Sequence, residues 1–225
     1  MKRFPTSLIF VMLILVLSCS AFAEMTLKAP YVKKAPKLDG KLDDEAWQIA
    51  TQKGGKGEIA FFLNAAPIKK DKSDVFICWD DDYLYIAFKN YQKENTVVVN
   101  ATTNGSDIWN TDDDNEIFLS TMYPGARPFL QAIISPEGVK TSSGFGSVDD
   151  WEVEALISKD FWVTEIAIPF DMLGFWPEVN DEWAINLTRR YANAKGTDEE
   201  WRTWSNLPVT TFLDPNVFSL LVFVK

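Results

Sequence analysis

Two pairs of short apolar runs limit what this chain can fold into. Residues 74–79 and 83–89 are rich in β-branched and aromatic side chains and are split by Asp80-Asp81-Asp82. Residues 151–158 and 161–168 repeat the arrangement. Two such runs joined by a polar break read as a β-hairpin. The first pair is almost continuously apolar, which places it in the middle of a sandwich with both faces at least partly covered. The second alternates at Glu152 and Glu154, and again at Thr164 and Glu165, which predicts one wet face.

Further short runs at 59–63, 96–100, 115–121, 129–135, 182–190 and 218–224 bring the expected number to about ten to twelve strands, spaced by turn signals. Helix is nearly absent. Asp43 can cap a short helix whose Ala46, Trp47 and Ala50 share one side, followed by a loop over 51–57. Residues 169–174 form a single helical turn with Pro169 at its start and Gly174 at its end. The expected fold class is an all-β antiparallel β-sandwich, of jelly-roll or immunoglobulin-like type, forming a single domain over 24–225.

Residues 1–23 have the form of a secretory signal. Lys2 and Arg3 give a positive start, residues 7–17 are apolar but too short to span a bilayer with margin, and Ala21-Phe22-Ala23 is a cleavage site. A rival lipoprotein reading at Val16-Leu17-Ser18-Cys19 would lipidate Cys19, but Leu17 fits that pattern poorly. The expectation is a secreted or periplasmic protein with no transmembrane anchor. Cleavage after Ala23 leaves twenty Lys and Arg against thirty-two acids, a net charge of −12. That balance argues against nucleic acid and anionic membranes as partners, and leaves neutral sugars open. Cys78, the one cysteine left, reads as a small buried hydrophobe. With no histidine in the chain, Ser-His-Asp and Cys-His catalysis, His-ligated zinc and His-ligated haem are all removed.

The stretch 107–119, D-I-W-N-T-D-D-D-N-E-I-F-L, carries the strongest functional signal. Trp109 stands in a polar loop, three acids follow, and a strand begins near Glu116. The axial C–H face of a pyranose is apolar and faintly positive and matches the negative face of an aromatic ring. A carboxylate such as Glu116 can accept hydroxyls beside it. The stretch therefore reads as one wall of a sugar site. Glu116 could equally be a structural acid paired with Arg189 or Arg190. Asp112, Asp113 and Asp114 could ligate calcium through oxygen, or form a solvated acidic loop; their spacing is not that of an EF-hand.

An ordered set of phrases adds a resemblance. L-D-G-K-L-D-D-E-A-W at 38–47, C-W-D-D-D-Y-L-Y-I at 78–86, D-D-N-E-I-F-L at 113–119 and I-P-F-D-M-L-G at 168–174 are followed by D-E-W-A-I-N-L-T-R at 181–189, W-S at 204–205 and D-P-x-x-F-x-x-L at 214–221. Together they resemble a family 9 carbohydrate-binding module, a β-sandwich attached to xylanases and other secreted glycosidases, over nearly all of 26–225. The resemblance implies two rings that sandwich a sugar, with preference for a glycan's reducing end on substrates such as xylan and cellulose. It assigns those rings to Trp109 and Phe212, the carboxylate to Glu116, and further polar contacts to Gln131 and Thr188. It requires no cofactor, although calcium has been described in the family. Three of the five positions depart from the family's pattern: Phe212 stands where Trp is frequent, Gln131 where Arg is frequent, and Thr188 where Gln is known.

The leading function is thus a secreted, non-catalytic module that holds a mono- or oligosaccharide in support of polysaccharide breakdown by secreted glycoside hydrolases. One competitor is a carboxylate-only glycosidase pairing Glu116 with Glu152, Glu154 or Glu165. The other is an adhesion sandwich with a decayed sugar site, in which Trp109 and Phe212 are simply packed.

Overall fold

A computed structural model describes residues 25–144, 147–192 and 199–225. The expected export signal and Cys19 lie outside them. In chain order the elements are β1 (Thr26–Pro30), α1 (Glu45–Lys53), β2 (Lys56–Ile59), β3 (Phe61–Phe62), β4 (Ser73–Trp79), β5 (Tyr83–Tyr91), α2 (Ile108–Thr111) and β6 (Asp114–Ser120). They continue with β7 (Leu130–Ile134), β8 (Lys140–Gly144), β9 (Glu152–Ser158), β10 (Phe161–Pro169), α3 (Phe170–Leu173), β11 (Glu182–Tyr191), β12 (Glu200–Thr203) and β13 (Ser219–Val224).

The strands form two sheets. One runs β2-β4-β5-β10-β9; the other runs β1-β13-β11-β6-β7-β8, with β12 added on β11 and β3 on β12. Both expected hairpins are present and lie in the five-stranded sheet. Every pair is antiparallel except β1 with β13, which run parallel. Thirteen strands exceed the expected number because β1, β2 and β8 carry too little apolar pattern to announce themselves.

Period-two alternation sorts the core. Ile77, Ile86 and Ile166 of one sheet meet Ile117, Ile185 and Leu187 of the other across the sandwich. The outer face of the five-stranded sheet is covered by α1, where Ala46, Trp47 and Ala50 pack on Phe76, Cys78, Tyr85 and Ala87. Both faces of the first hairpin are therefore buried, as its continuous apolar run predicts, and Cys78 is fully buried.

The second hairpin departs from expectation. Glu152 and Glu154 of the edge strand β9 face water, but Thr164 and Glu165 of β10 do not. Thr164 Oγ1 donates to Asn115 Oδ1 inside the sandwich. Glu165, on the other face, accepts from Trp47 Nε1 at 2.8 Å and from the amides of Asp39 and Gly40 at 2.8 and 2.6 Å. The segment carrying L-D-G thus closes over β10 and leaves it no wet face. Helix α1 starts after Asp44 rather than Asp43, and Asp44 gives no side-chain cap, because its carboxylate accepts from the Lys37 amide. It runs on to Lys53, and the strand β2 replaces the rest of the expected loop. Residues 97–100 form no strand: the amides of Val98 and Asn100 bond to the carboxylates of Asp113 and Asp112. Among the described residues no helix is long and apolar enough to cross a membrane.

Candidate functional site

Strand β6 builds the site by alternation. Ile117 and Leu119 point into the sandwich, so Asp114, Glu116 and Phe118 point out from the eight-stranded sheet. Register adds their neighbours. Thr188 of β11 and Ile133 of β7 stand opposite Glu116, Gln131 opposite Phe118, and Arg190 opposite Asp114. Trp201 of β12 stands opposite Arg190. Ile108 packs on Ile133, which seats the short helix α2 on this face and turns Trp109 outward, 44% exposed. Above the face opens a cavity of about 580 Å³ whose lining includes Trp109, Trp201, Phe212, Gln131, Glu116 and Glu199. That is the size of a small-ligand site.

The polar base is fixed by a relay. Ser143 Oγ donates to Gln131 Oε1 at 2.8 Å, and this sets which way the amide faces. Gln131 Nε2 then donates to Glu116 Oε2 at 2.7 Å. Gln131 is half-buried at the cavity surface, while Glu116 borders the cavity with no surface in bulk water. Burial pushes the Glu116 carboxyl up to about 7, against the lowering effects of Gln131 and Arg190. Asp114 is raised well above the usual carboxylate range by its own burial and by the Glu116 charge.

Neither arginine neutralises Glu116 by a direct pair. Arg189 points to the interior, onto Gln92 Oε1 and Ser73 Oγ. Arg190 spends its donors on Glu199 Oε2 at 2.7 and 3.0 Å and on the carbonyls of Asp112 and Asn110. Four of the seven buried side-chain polar atoms without a partner among the described residues lie on this one face: Asp114 Oδ2, Glu116 Oε1, Asn186 Nδ2 and Thr188 Oγ1. Such atoms are costly when dry, and of the four residues Glu116 is the one that lines the cavity, where a guest's hydroxyl could meet it.

The rings do not form two facing plates. Trp201 packs on Trp109 with centroids 5.3 Å apart and planes at 41°, and on Phe212 at 5.7 Å and 63°. Phe212 is only 5% exposed and lies against Phe118 at 6.0 Å. The wall is a chain of tilted rings with a third ring, the Trp201 indole, between the two expected ones. The Arg190 guanidinium lies over Trp201 at 5.7 Å and helps hold it.

The three consecutive aspartates are buried, not solvated. Asp112 accepts from the Asn100 and Ala101 amides, and Asp113 from the Val98 and Ala192 amides and Gln92 Nε2. Alternation sends Asp113 to the opposite face from its two neighbours. This arrangement does not fit a calcium ion at these residues, and no group of three acids or cysteines among the described residues could hold a metal. Their work is to pin the 97–101 segment and the end of β11.

No protein-family model matches the chain, and no curated protein matches it by sequence. Solved structures do match in three dimensions. A family 9 carbohydrate-binding module from Caldicellulosiruptor kristjanssonii in complex with cellotriose matches with a TM-score of 0.69 and 15% identity, over 89% of this chain and 94% of that one. The complex with glucose matches with a TM-score of 0.69 and 16% identity, over 88% and 95%. The fold is that of a family 9 carbohydrate-binding module. A third structure, from Bacteroides uniformis ATCC 8492, matches with a TM-score of 0.66 and 13% identity over 89% of this chain and all of that one.

Within this family 9 fold, four of the five residues singled out in the sequence line one cavity: Trp109, Glu116, Gln131 and Phe212. Thr188 lies beside Glu116 on the same face but outside the lining. Sequence reasoning missed Trp201, Glu199 and the neighbours of Phe212, namely Thr210, Thr211 and Leu213. The run 199–204 is legible as polar and aromatic, but only the pairing of β12 with β11 brings it to β6. Glu152, Glu154 and Glu165 belong to the other sheet, so none of them faces Glu116 across the cavity.

Proposed function

We propose that this cavity binds a mono- or oligosaccharide and that the protein is a non-catalytic carbohydrate-binding module. The observation that carries the reading is the meeting, in one cavity, of indole surface from Trp109 and Trp201 with the fixed Gln131–Glu116 pair. Tilted indoles offer the apolar surface a pyranose stacks on, and the remaining Gln131 N–H meets its hydroxyls. The glucose and cellotriose held by the two family 9 structures support a ligand of that class. Binding without turnover is supported by the state of the other acid among the described lining residues: Glu199 is tied to Arg190. On this reading residues 1–23 direct export to the periplasm or medium, where the module holds polysaccharide for secreted glycoside hydrolases.

Titration of the protein, cleaved after Ala23, with glucose, cellobiose and xylobiose tests the reading by tryptophan fluorescence. Saturable binding in the micromolar to millimolar range is expected, lost in Trp109→Ala. No response to any of the three at tens of millimolar, roughly the weak limit of useful sugar binding, would sink it.

A further inference from the structure

The charge lining the cavity is one-sided. Among the described residues, its two ionisable groups are both acids, Glu116 and Glu199, and no lysine or arginine lines it. A third acid, Asp114, is fully buried on the same face. Arg190, the cation that acts on Glu116, is committed to Glu199 and to backbone carbonyls, and Arg127 donates to the Leu213 carbonyl. Glu116 keeps one carboxylate oxygen unpartnered, and its other partner, Gln131, carries no charge. Burial raises the Glu116 and Asp114 carboxyls and so disfavours their charged forms in the empty site, and a cation brought beside the open Glu116 oxygen would favour its ionised form. The indole faces of Trp109 and Trp201 add to the attraction for a cation.

We infer that the ligand favoured by this cavity is an amino sugar, a glycan unit whose ring carries a free ammonium group. The inference rests on the sugar-binding reading above and narrows it. The ring would stack as a neutral sugar does, and the ammonium would donate to the Glu116 oxygen that has no partner. Sugars bearing a carboxylate or phosphate would find no lysine or arginine among the described lining residues to pair with.

Calorimetric titration near neutral pH with glucose, glucosamine, N-acetylglucosamine and glucuronate provides the test. A hydrogen bond to a charged group outweighs a neutral one by about tenfold in affinity, so glucosamine should bind about tenfold tighter than glucose and N-acetylglucosamine, with glucuronate weakest. That preference, taken as the ratio of glucosamine to glucose affinity within each variant, should shrink toward unity in Glu116→Gln, and by less in Glu199→Gln, whatever either change does to glucose binding itself. If glucose binds and glucosamine binds no tighter, the amino-sugar inference fails and the sugar site stands. If none of the four binds, both fall. If the preference survives when both glutamates are replaced, these acids are not its source and the inference is overturned.

Discussion

Replacing Glu116 by Gln should stabilise the protein at alkaline pH and leave it nearly unchanged in mild acid. The folded carboxyl titrates near 7 against an ordinary value of 4.5, because burial penalises its charged form. Between those values the folded state holds a proton that the unfolded state has released, so stability is full below about 4.5, falls as pH rises toward 7, and is flat beyond. A gap of about 2.5 units at 1.36 kcal/mol per unit sets a ceiling of about 3 kcal/mol on that loss. Glutamine mimics the protonated acid: its carbonyl can still accept from Gln131 Nε2, and it has no charge to desolvate. Removing the Glu116 charge also relieves Asp114, whose carboxyl that charge pushes up. Urea unfolding followed by tryptophan fluorescence at pH 5 and pH 8 gives the comparison. With a slope of about 3 kcal/mol/M, the variant's midpoint should exceed that of the parent by up to roughly 1 M at pH 8 and match it closely at pH 5. A parent midpoint that does not fall between those pH values, or a variant equally destabilised at both, would refute the account of Glu116 as an uncompensated buried acid.

Three other substitutions test the scaffold. Glu165→Ala should cost about 3 kcal/mol or more in thermal unfolding, because Trp47 Nε1 and the Asp39 and Gly40 amides lose their acceptor. Glu165→Gln should recover part of that loss. Phe118→Ala, at the centre of contacts with Phe129, Phe212 and Phe218, should cost about 3–5 kcal/mol and loosen the ring wall, readable as a lowered Tm and altered near-ultraviolet dichroism. Gly57→Ala would set a Cβ 2.2 Å from the buried Trp204 ring, so a loss of about 1–3 kcal/mol with a shift in tryptophan emission is expected.

What the sequence made legible was whatever local pattern determines. The Asp80-Asp81-Asp82 break announces its hairpin because short apolar runs and polar turns act over a few residues. Trp109 and Glu116 announce themselves because a ring in a polar setting and a carboxylate on a strand are locally unusual. Contacts made by distant segments were not legible. Glu165 looks like a wet-face acid until Trp47, 118 positions away, brings its indole N–H to it. Asp112 and Asp113 look like a solvated charge run until the 98–101 amides and Ala192 N converge on them. Trp201 escaped for the same reason, since its place against Trp109 follows from sheet order and not from its neighbours. Phe212 was assigned by resemblance to a facing plate, and packing on Phe118 and Trp201 has given it a different part.

The parallel pairing of β1 with β13 bears on how the molecule comes to exist. Thr26 meets Leu220, so closing that pair joins segments about two hundred residues apart, at an entropic cost of about 5 kcal/mol before any contact repays it. β13 is also an interior strand, held between β1 and β11. A growing chain that has not yet delivered residues 219–224 has β1 without its partner and one flank of β11 unpaired, with Trp183 and Ile185 uncovered. Completion of the eight-stranded sheet therefore waits on β13. Until then the unfinished sheet offers open edges of the kind that recruit other chains.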